Sequence, residues 1–512
     1  MSFLRGKSGA ITVGLIGYLF FVELVSGIIQ GYYIPLIPDL VEHLGIRDAD
    51  FNWFEAAQLL LSAIVVPILA KLGDMHGHKR ILLISTVLTA GATWWLAFTG
   101  DFTSFLIAWA LQGFYVVWLP LEVALIFDRG RVTGMGASQT RRAAGFLVVA
   151  LEAGAIMGAL GGGRIFKAFG ENVQQTLMIP AIAVTIVFFV ILFGVPESKP
   201  LPGRTLDFWG FVLLTIGLLL ITSGLTFLRI NGPGAWWVYL VMLAGIATFI
   251  PWGRYELRQK DPAIDLRMLR DPSMWPIQLT AGLVGISLLG AQAPLATFAG
   301  TDPINGYGLG MESDEISYII GAYLVSMIVG ALLFPILSKW KSPRVALIVA
   351  TFLVAIGYLM FLPFHATVLS VFLNMSIAGL GSGALVGALP AAAAAAAPRG
   401  QTGIATALTN TTKTIGGSFA SAIFAIVLLA GAASAVSETA SSLFGYLTVF
   451  TICGAGALVA AVLLFLVPKL AFADVVDDIE DIEPTDAADA TAEGNPNAET
   501  DADPVAEADV TR

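Results

Sequence analysis

Residues 175–195 read QTLMIPAIAVTIVFFVILFGV, and this uncharged stretch decides the class of fold. A helix over these 21 residues measures roughly 30 Å, which matches the hydrocarbon core of a bilayer. A segment in hydrocarbon must satisfy its own backbone hydrogen bonds, so we expect a transmembrane helix here. Apolar runs of similar length recur along the chain. The sequence therefore predicts an all-α integral membrane protein.

The composition excludes several classes of protein. Of the 512 residues, 57% are hydrophobic and 12% are charged, and the mean hydropathy is +0.82. Soluble domains carry about a quarter charged residues, so no water-soluble fold of this size would hide so much apolar surface. The single cysteine, Cys453, excludes a disulfide within one chain. The sequence has no glycine-rich nucleotide loop followed by Lys-Ser/Thr, which argues against an ATP-driven pump.

Apolar runs broken by glycine, proline and charge clusters predict fourteen transmembrane spans. They lie at about 12–36, 53–72, 81–99, 103–127, 143–165, 175–195, 207–228, 235–252, 275–298, 316–337, 344–362, 369–391, 403–430 and 443–467. With the N-terminus inside, 22 of the 27 Lys and Arg residues fall on the inner side and 4 on the outer side, and Lys413 falls within a span. The positive-inside rule demands this asymmetry, so we expect a multi-pass protein of the cell membrane with both termini cytoplasmic.

The loop between the second and third spans carries the first motif. It reads AKLGDMHGHKR from Ala70 to Arg80. Asp74, Gly77, Lys79 and Arg80 stand where a loop motif of the major facilitator superfamily has its acid, its second glycine and its basic pair, and the loop resembles that motif. Ala70 takes the place of the leading glycine.

The fifth span contains EAGAIMGALGG, residues 152–162, which resembles the antiporter motif of the drug exporters in that superfamily. Ala159 stands where the motif has proline. Glycines at a spacing of four let another helix approach closely, so ordinary helix packing also accounts for the pattern. In the family this packing controls closure of the cavity. The resemblance thus implies a gating role for Gly154, Gly158, Gly161 and Gly162.

Two further stretches resemble the fourteen-span drug:proton antiporter branch: DFWGFVLL at 207–214 and the stretch at 400–417. The resemblance implies two six-helix bundles with a central cavity that opens to each side in turn, and two extra linker helices. The implied domains are a first bundle at 1–196, a linker at 197–274 and a second bundle at 275–470. Residues 471–512 have the acidic composition of a disordered cytoplasmic tail.

The sequence departs from the family pattern at two places. Trp109 replaces the arginine that usually stands three residues before Gln112. In the first span, Ser26 takes the position of the aspartate nine residues before Pro35, and the acid nearest to it is Glu23. The family pattern alone therefore does not assign proton coupling.

An ionisable residue inside a membrane span costs free energy, so we treat each one as a candidate functional residue. Glu23 lies about 16 Å along its helix, near the midplane, and Glu152 and Lys413 also lie at mid-depth. Gln30, with Gly27 and Gly31, follows Glu23 at helical spacings, and this face is predicted to line the cavity. Structural hydrogen bonds or ion pairs remain the alternative. Lys413 either pairs with a buried carboxylate or contacts an anionic substrate.

Two other sites complete the predictions from charge placement. Glu122 lies near the cytoplasmic end of the fourth span, where it can reach lipid head groups or Arg129. Asp74 is expected at a cytoplasmic gate against residues 400–404 at the start of the thirteenth span. Lys79 or Arg80 is expected to reach Asp128.

The sequence predicts a secondary transporter and not an enzyme: a proton-coupled exporter, an antiporter, of hydrophobic or amphipathic compounds such as drugs. Export of lipids or cell-envelope precursors is the alternative within the class, and a non-transporting membrane sensor or scaffold is the alternative outside it. Expected partners are a small-molecule or lipid substrate, protons and membrane lipids, with no nucleic acid. We expect a monomer with no cofactor and no metal.

Overall fold

The structure is a computed structural model that describes residues 13–133, 137–198, 205–260, 262–397, 402–430 and 439–467. Side chains are described for these residues except 13, 127–133, 137–144 and 402–404. The described part of the chain is helical, without a β-strand. The predicted acidic tail, residues 471–512, lies outside the described residues.

Within the described ranges the chain forms seventeen α-helices, α1 to α17 in chain order. Their bounds are Val13–Tyr32, Ile37–Leu44, Asp48–His76, His78–Phe98, Phe102–Gln112, Trp118–Thr133, Ala137–Ala168, Val173–Gly194, Phe208–Asn231, Trp236–Glu256, Met274–Leu288, Gln292–Gly300, Ser313–Trp340, Pro343–Leu359, Val368–Ala396, Thr402–Val427 and Leu443–Leu466. Short 3-10 turns lie at Ile34–Leu36, Gly113–Val117, Met268–Arg270 and Pro303–Asn305.

Twelve segments of the described residues are long and apolar enough to cross a membrane. They are Gly14–Leu44, Asp48–His76, His78–Phe98, Phe102–Ile126, Gly145–Ala168, Val173–Gly194, Phe208–Asn231, Trp236–Glu256, Met274–Gly300, Ser313–Trp340, Val368–Ala396 and Leu443–Leu466. The other two predicted spans, at 344–362 and 403–430, are also helical. One is the apolar helix α14, which has 17 residues, and the other is α16, which carries Lys413 and a stripe of threonines.

Three of the twelve segments are interrupted helices. The first breaks at Tyr33, before Pro35, and the ninth breaks between α11 and α12. The fourth breaks into the 3-10 turn at Gly113–Val117. A Cβ added at Gly113 would lie 2.7 Å from the carbonyl oxygen of Gln58 on α3, so glycine allows this turn to touch the α3 backbone. Interrupted helices are typical of transporter interiors, where exposed backbone lines a cavity.

The helices pack mainly within two groups. In the first half, α1 packs on α7, α4 on α8, and α3 on α5. In the second half, α13 packs on α15, α11 on α16, and α14 on α15 and α17. Helices α9 and α10 pack on each other, and α9 also touches α3 and α16. The two halves meet where α7 packs on α13 and where α3 packs on α16.

One end of the unit carries polar contacts between the two halves, and we call it the Lys167 end. Lys167 Nζ lies 2.7 Å from Glu312 Oε2 and 3.3 Å from Asp314 Oδ2. The Tyr446 hydroxyl donates to Asp48 Oδ2 at 3.1 Å. These contacts hold the first half against the second at this end. The opposite end, which carries the loop from Lys71 to Arg80, is called the Arg80 end.

Candidate functional site

Two carboxylic acids lie together in the interior of the first half. Glu23 of α1 and Glu122 of α6 are fully buried, and none of their four carboxyl oxygens has a hydrogen-bond partner among the described residues. The two side chains are close enough to interact electrostatically. The prediction that Glu122 reaches head groups is therefore wrong, because its side chain is enclosed and next to Glu23. Buried polar groups are almost always hydrogen-bonded, so an unpaired carboxyl pair is unusual.

A third acid, Glu55 of α3, was missed by the sequence analysis. It is buried, and both it and Glu23 act electrostatically on the buried Tyr115 in the 3-10 turn of the fourth span. The exposed side chain of Gln30 hydrogen-bonds to Tyr115. The signal for Glu55 in the sequence is an acid inside the predicted span 53–72, two residues from the start of that span. Three helices and one turn thus bring carboxyl, amide and phenol groups together.

The predicted cavity-lining face of α1 is only partly correct. Gln30 is exposed, as expected. Gly27 and Gly31 instead face α7, because an added Cβ would lie 1.9 Å from the Leu151 carbonyl oxygen and 2.1 Å from that of Ala155. These glycines serve close helix packing.

The predicted glycines of α7 form the other side of the same contact. A Cβ added at Gly154 would lie 2.0 Å from the Leu24 carbonyl oxygen, and one at Gly158 would lie 2.4 Å from that of Ile28. Gly162 meets Tyr32 in the same way. We call this contact the α1–α7 glycine seam; it comprises Gly27, Gly31, Gly154, Gly158 and Gly162. Gly161 is not part of it, since an added Cβ would meet only Ile165 at 3.8 Å.

A second charged site joins the two halves. Glu152 of α7 and Lys413 of α16 are partly buried and close enough to interact electrostatically, without a salt bridge between them among the described residues. Glu152 is also close enough to Tyr323 of α13 to interact with it electrostatically. Opposite charges on the two halves are therefore placed where relative movement of the halves would change their separation.

The position of the absent family arginine is filled by an aromatic cluster. Trp109 packs against Tyr33 and Phe51, with ring centroids 5.1 Å apart in both pairs. Gln112 is fully buried and donates from Nε2 to the Tyr33 hydroxyl at 2.8 Å and to Thr93 Oγ1 at 3.2 Å. A tryptophan here contributes packing area in place of charge.

The loop at the Arg80 end is held by residues that follow α8. The Glu197 carboxylate accepts from the Lys79 backbone N–H at 3.0 Å and lies 3.7 Å from Arg80 Nε. Ser198 Oγ accepts from the His78 backbone N–H at 2.8 Å. Glu197 and Ser198 therefore accept hydrogen bonds from free backbone N–H groups at the start of α4.

Glu197 supplies the carboxylate at the start of α4. Asp74 instead lies 3.3 Å from His78 Nε2. Gly77 has φ +102°, and an added Cβ would lie 2.5 Å from Glu197 Oε1, so glycine is required there. Two expected contacts involve residues or side chains that the structure does not describe. They are the contact of Asp74 with residues 400–404 and the contact of Lys79 or Arg80 with Asp128.

An all-helical membrane protein with interrupted spans and ionisable groups between two halves has the layout of a secondary transporter. Residues 19–421 match the family described as the Major Facilitator Superfamily. This match covers more than half of the chain, so the chain belongs to that superfamily. It is a multi-pass membrane transporter and not an enzyme.

Relatives with assigned names include transporters of different compounds. The chain is 26% identical over 414 residues to the cephamycin export protein of Amycolatopsis lactamdurans, covering 79% of this chain and 82% of the relative. It is 24% identical over 433 residues to the triacylglyceride transporter of Mycobacteroides abscessus, covering 79% of each. Among solved structures, the nucleoside transporter NupG superposes with a TM-score of 0.63 at 13% identity, covering 89% of this chain and all of NupG. This last likeness shows the fold alone.

Proposed function

We propose that the chain is a proton-coupled antiporter that exports hydrophobic or amphipathic compounds from the cell. The observation that carries this proposal is the pair of buried carboxyl groups of Glu23 and Glu122, which have no hydrogen-bond partner in the described part of the chain. A membrane protein retains such costly groups when they bind an ion or a substrate, and a carboxyl group binds or releases a proton as its access to water and to cations changes.

The charges between the halves supply a means of coupling. When the halves rock, the distance between Glu152 and Lys413 changes, and with it the electrostatic stabilisation of a proton or a cation at the nearby acids. Gln30 and Tyr115 are placed to bind polar groups of the substrate. The electrostatic interaction of Lys413 with Glu152 supports the first of the two roles that the sequence left open for Lys413, pairing with a buried carboxylate.

We propose fourteen spans, because α14 and α16 are helices in addition to the twelve segments that are apolar enough to cross. Helix α16 is not among those twelve segments because its stripe of polar residues lowers its mean hydropathy. Such a stripe is expected on a helix that faces a cavity. The proposed organisation keeps a bundle at 1–196, a linker at 197–274, a bundle at 275–470 and a tail at 471–512. This organisation supports membership of the drug:proton antiporter branch, with a monomer as the working unit.

We assign the Lys167 end to the outer side and the Arg80 end to the cytoplasm, which places both termini in the cytoplasm. The 22 to 4 distribution of basic residues supports this orientation. The closed Lys167 end then corresponds to a state that faces the cytoplasm. Asp74, Gly77, Lys79, Arg80 and Asp128 are proposed to close the cytoplasmic side in the opposite state.

Export of lipids is the second candidate, and the relative named as a triacylglyceride transporter favours it. Export of cell-envelope precursors belongs to the same candidate, because those compounds also combine a polar head with apolar chains. A scaffold that does not transport is disfavoured, because it has no use for intramembrane charges on both halves.

The test is transport by the full chain in vesicles under an imposed pH gradient. The probes are tetraphenylphosphonium and a fluorescent triacylglycerol, each followed with and without the gradient. Gradient-dependent accumulation of the cation supports drug-type antiport, and gradient-dependent movement of only the lipid supports the second candidate. Transport of neither probe above protein-free vesicles contradicts both.

A further inference from the structure

The start of α9 and the end of α10 bring two acids together at the Arg80 end. Asp207 directly precedes α9, where its Oδ1 accepts from the Gly210 backbone N–H at 3.0 Å, and Glu256 is the last residue of α10. Both side chains are buried. A Cβ added at Gly210 would lie 2.3 Å from Asp207 Oδ2 and 2.5 Å from Glu256 Oε1, so the two carboxyl groups converge beside this glycine.

The two acids share one backbone donor. The backbone nitrogen of Ala263 lies 3.0 Å from Glu256 Oε2 and 3.3 Å from Asp207 Oδ2. The carbonyl oxygen of the same peptide group, that of Pro262, accepts from Lys71 Nζ of α3 at 3.4 Å. One peptide group is therefore held from both sides, by two acids of the proposed linker and by a lysine of the first half. We call these five residues the Pro262 clamp.

The helix ends favour different charges on the two acids. A carboxylate is stabilised at the positive N-terminal end of a helix and destabilised at the negative C-terminal end. Asp207 lies at the first kind of end and Glu256 at the second. Two buried carboxylates that share a donor also repel each other, so the pair favours the form that binds one proton. Glu256 is then the acid that carries the proton, and its hydroxyl can donate to Asp207.

The groups that face the pair do not neutralise its charge. On α10, the Tyr255 hydroxyl donates to Asp207, and the Trp252 indole hydrogen-bonds to Glu256. On α3, Lys71 donates to the carbonyl oxygen of the clamped peptide group. In the part of the chain that the structure describes, no basic side chain forms an ion pair with either acid. The charge of the pair therefore depends on its own proton.

We propose that the Pro262 clamp is a pH-sensitive contact between the linker and the first half. With one proton on the pair, both acids hold the Ala263 N–H, and the segment after α10, residues 257–260 and 262–266, stays on α3. Loss of the proton leaves two carboxylates beside Gly210, and their repulsion releases Ala263. The clamp is therefore closed at low pH and open at high pH on the Arg80 side, which we assign to the cytoplasm. This inference goes beyond the proposed function, because it depends neither on the exported compound nor on proton-driven export.

Pulsed electron resonance on the full chain in lipid nanodiscs tests the clamp in a Cys453→Ala background. The labels are placed at two exposed positions, Lys260 in the segment after α10 and Val87 on α4. We expect a narrow distribution of 260–87 distances at low pH. At high pH the distribution should broaden and its mean should lengthen by several ångströms. The distance from Leu219 on α9 to Val87 should stay constant, because an ion pair holds α9 on α3 at the other end of the helix.

Two conservative variants remove the charge of one acid and keep an oxygen that accepts from the Ala263 N–H. They are Glu256→Gln and Asp207→Asn, and asparagine also caps a helix well. Each should keep the 260–87 distribution narrow at every pH, because the amide can donate to the remaining carboxylate in place of the proton. Asp265→Asn is the matched control. This acid lies in the same segment and accepts from the Arg267 backbone N–H at 3.0 Å, so the variant should respond to pH as the unchanged clamp does.

A third variant tests the other side of the clamp. Lys71→Met removes the donor to the Pro262 carbonyl oxygen, so the 260–87 distribution should be broad at low pH as well. A distribution that is the same at low and high pH in the unchanged clamp overturns the proposal. A pH response that persists in folded Glu256→Gln and Asp207→Asn overturns it too, as does one that Asp265→Asn removes equally.

Discussion

At the scale of single residues, Glu23 is the group on which proton coupling depends most. It is fully buried, lacks a hydrogen-bond partner among the described residues, and lies next to Glu122. We predict that Glu23→Gln abolishes gradient-driven export and leaves the protein folded, because the amide keeps the shape but cannot exchange a proton. Flux in vesicles and thermal unfolding measure the two effects. Normal flux in Glu23→Gln, with Glu42→Gln at an exposed position of α2 as the matched control, would show that the assignment is wrong.

Exchanging the charges of Glu152 and Lys413 tests whether the two side chains interact. Glu152→Lys or Lys413→Glu alone places like charges together in a partly buried site, so we expect each to lower export at least tenfold. The double variant, which carries both Glu152→Lys and Lys413→Glu, should restore part of the export activity. The interaction energy from the double-mutant cycle should be about 1 to 3 kcal/mol. Lys339→Glu on the exposed end of α13 is the matched control for charge reversal. Strictly additive losses in the double variant would exclude a direct pairing.

Individual residues also show what the sequence can predict. Glu23, Glu152 and Lys413 could be found because an isolated charge within a long apolar run stands out. Glu55 was overlooked because it lies near the start of its span, where a charge usually marks the membrane surface. Glu197 was overlooked because its contact with Lys79 joins elements 118 residues apart, and no local pattern reports such a distance.

At the scale of helices, the α1–α7 glycine seam determines how closely two cavity-lining helices approach. We predict that Gly158→Ala lowers the free energy of unfolding by about 1 to 3 kcal/mol, because its Cβ would lie 2.4 Å from the Ile28 carbonyl oxygen. Gly161→Ala is the matched control, because that position is open. Chemical denaturation in mild detergent measures both. Equal stability of the two variants would rule out the seam as a tight contact.

The proposed linker, residues 197–274 with helices α9 and α10, makes polar contacts with the first half. Arg229 of α9 forms an ion pair with Asp50 of α3 and lies over the Trp53 ring at 5.8 Å. Lys71 Nζ, at the other end of α3, donates to the Pro262 carbonyl oxygen at 3.4 Å. Where α9 meets α16, Leu225 and Ala422 belong to one cluster of buried apolar side chains. Apolar contacts slide more readily than ion pairs, so we infer that the linker moves with the first half.

Spin labels test this movement in a Cys453→Ala background. The labels are placed at three exposed positions: Leu219 on α9, Val87 on α4 and Phe352 on α14. We predict that the 219–87 distance stays constant between low and high pH, while the 219–352 distance changes by several ångströms. Pulsed electron resonance measures both distances. A constant 219–352 distance with a changing 219–87 distance would attach the linker to the second half instead.

The helical elements themselves were largely predictable, since every predicted span contains a helix of the structure. The interruptions at Tyr33, at Gly113–Val117 and between α11 and α12 were not predicted. Apolar periodicity continues through such breaks, because both parts of an interrupted helix remain in hydrocarbon. The close approach that needs Gly113 depends on α3, so it becomes visible only when the helices are packed.

At the scale of the whole molecule, we propose that the two halves rock around a charged interior. In the structure they are held together at the Lys167 end by contacts such as Lys167 with Glu312, and α9 covers the line where α3 meets α16. The acids of the first half and Lys413 of the second half lie between these contacts and the Arg80 end. Movement of the halves would expose the same groups to the other side, which is what exchange of a proton for a substrate requires.

The most direct test of proton antiport needs no imposed pH gradient. Tetraphenylphosphonium is added outside vesicles that contain the full chain, with the membrane potential clamped by potassium and valinomycin, and the internal pH is recorded. We predict that entry of the cation drives protons out, so the interior becomes alkaline with the unchanged protein but not with Glu23→Gln. Entry of the cation without a pH change, or with acidification of the interior, would contradict it.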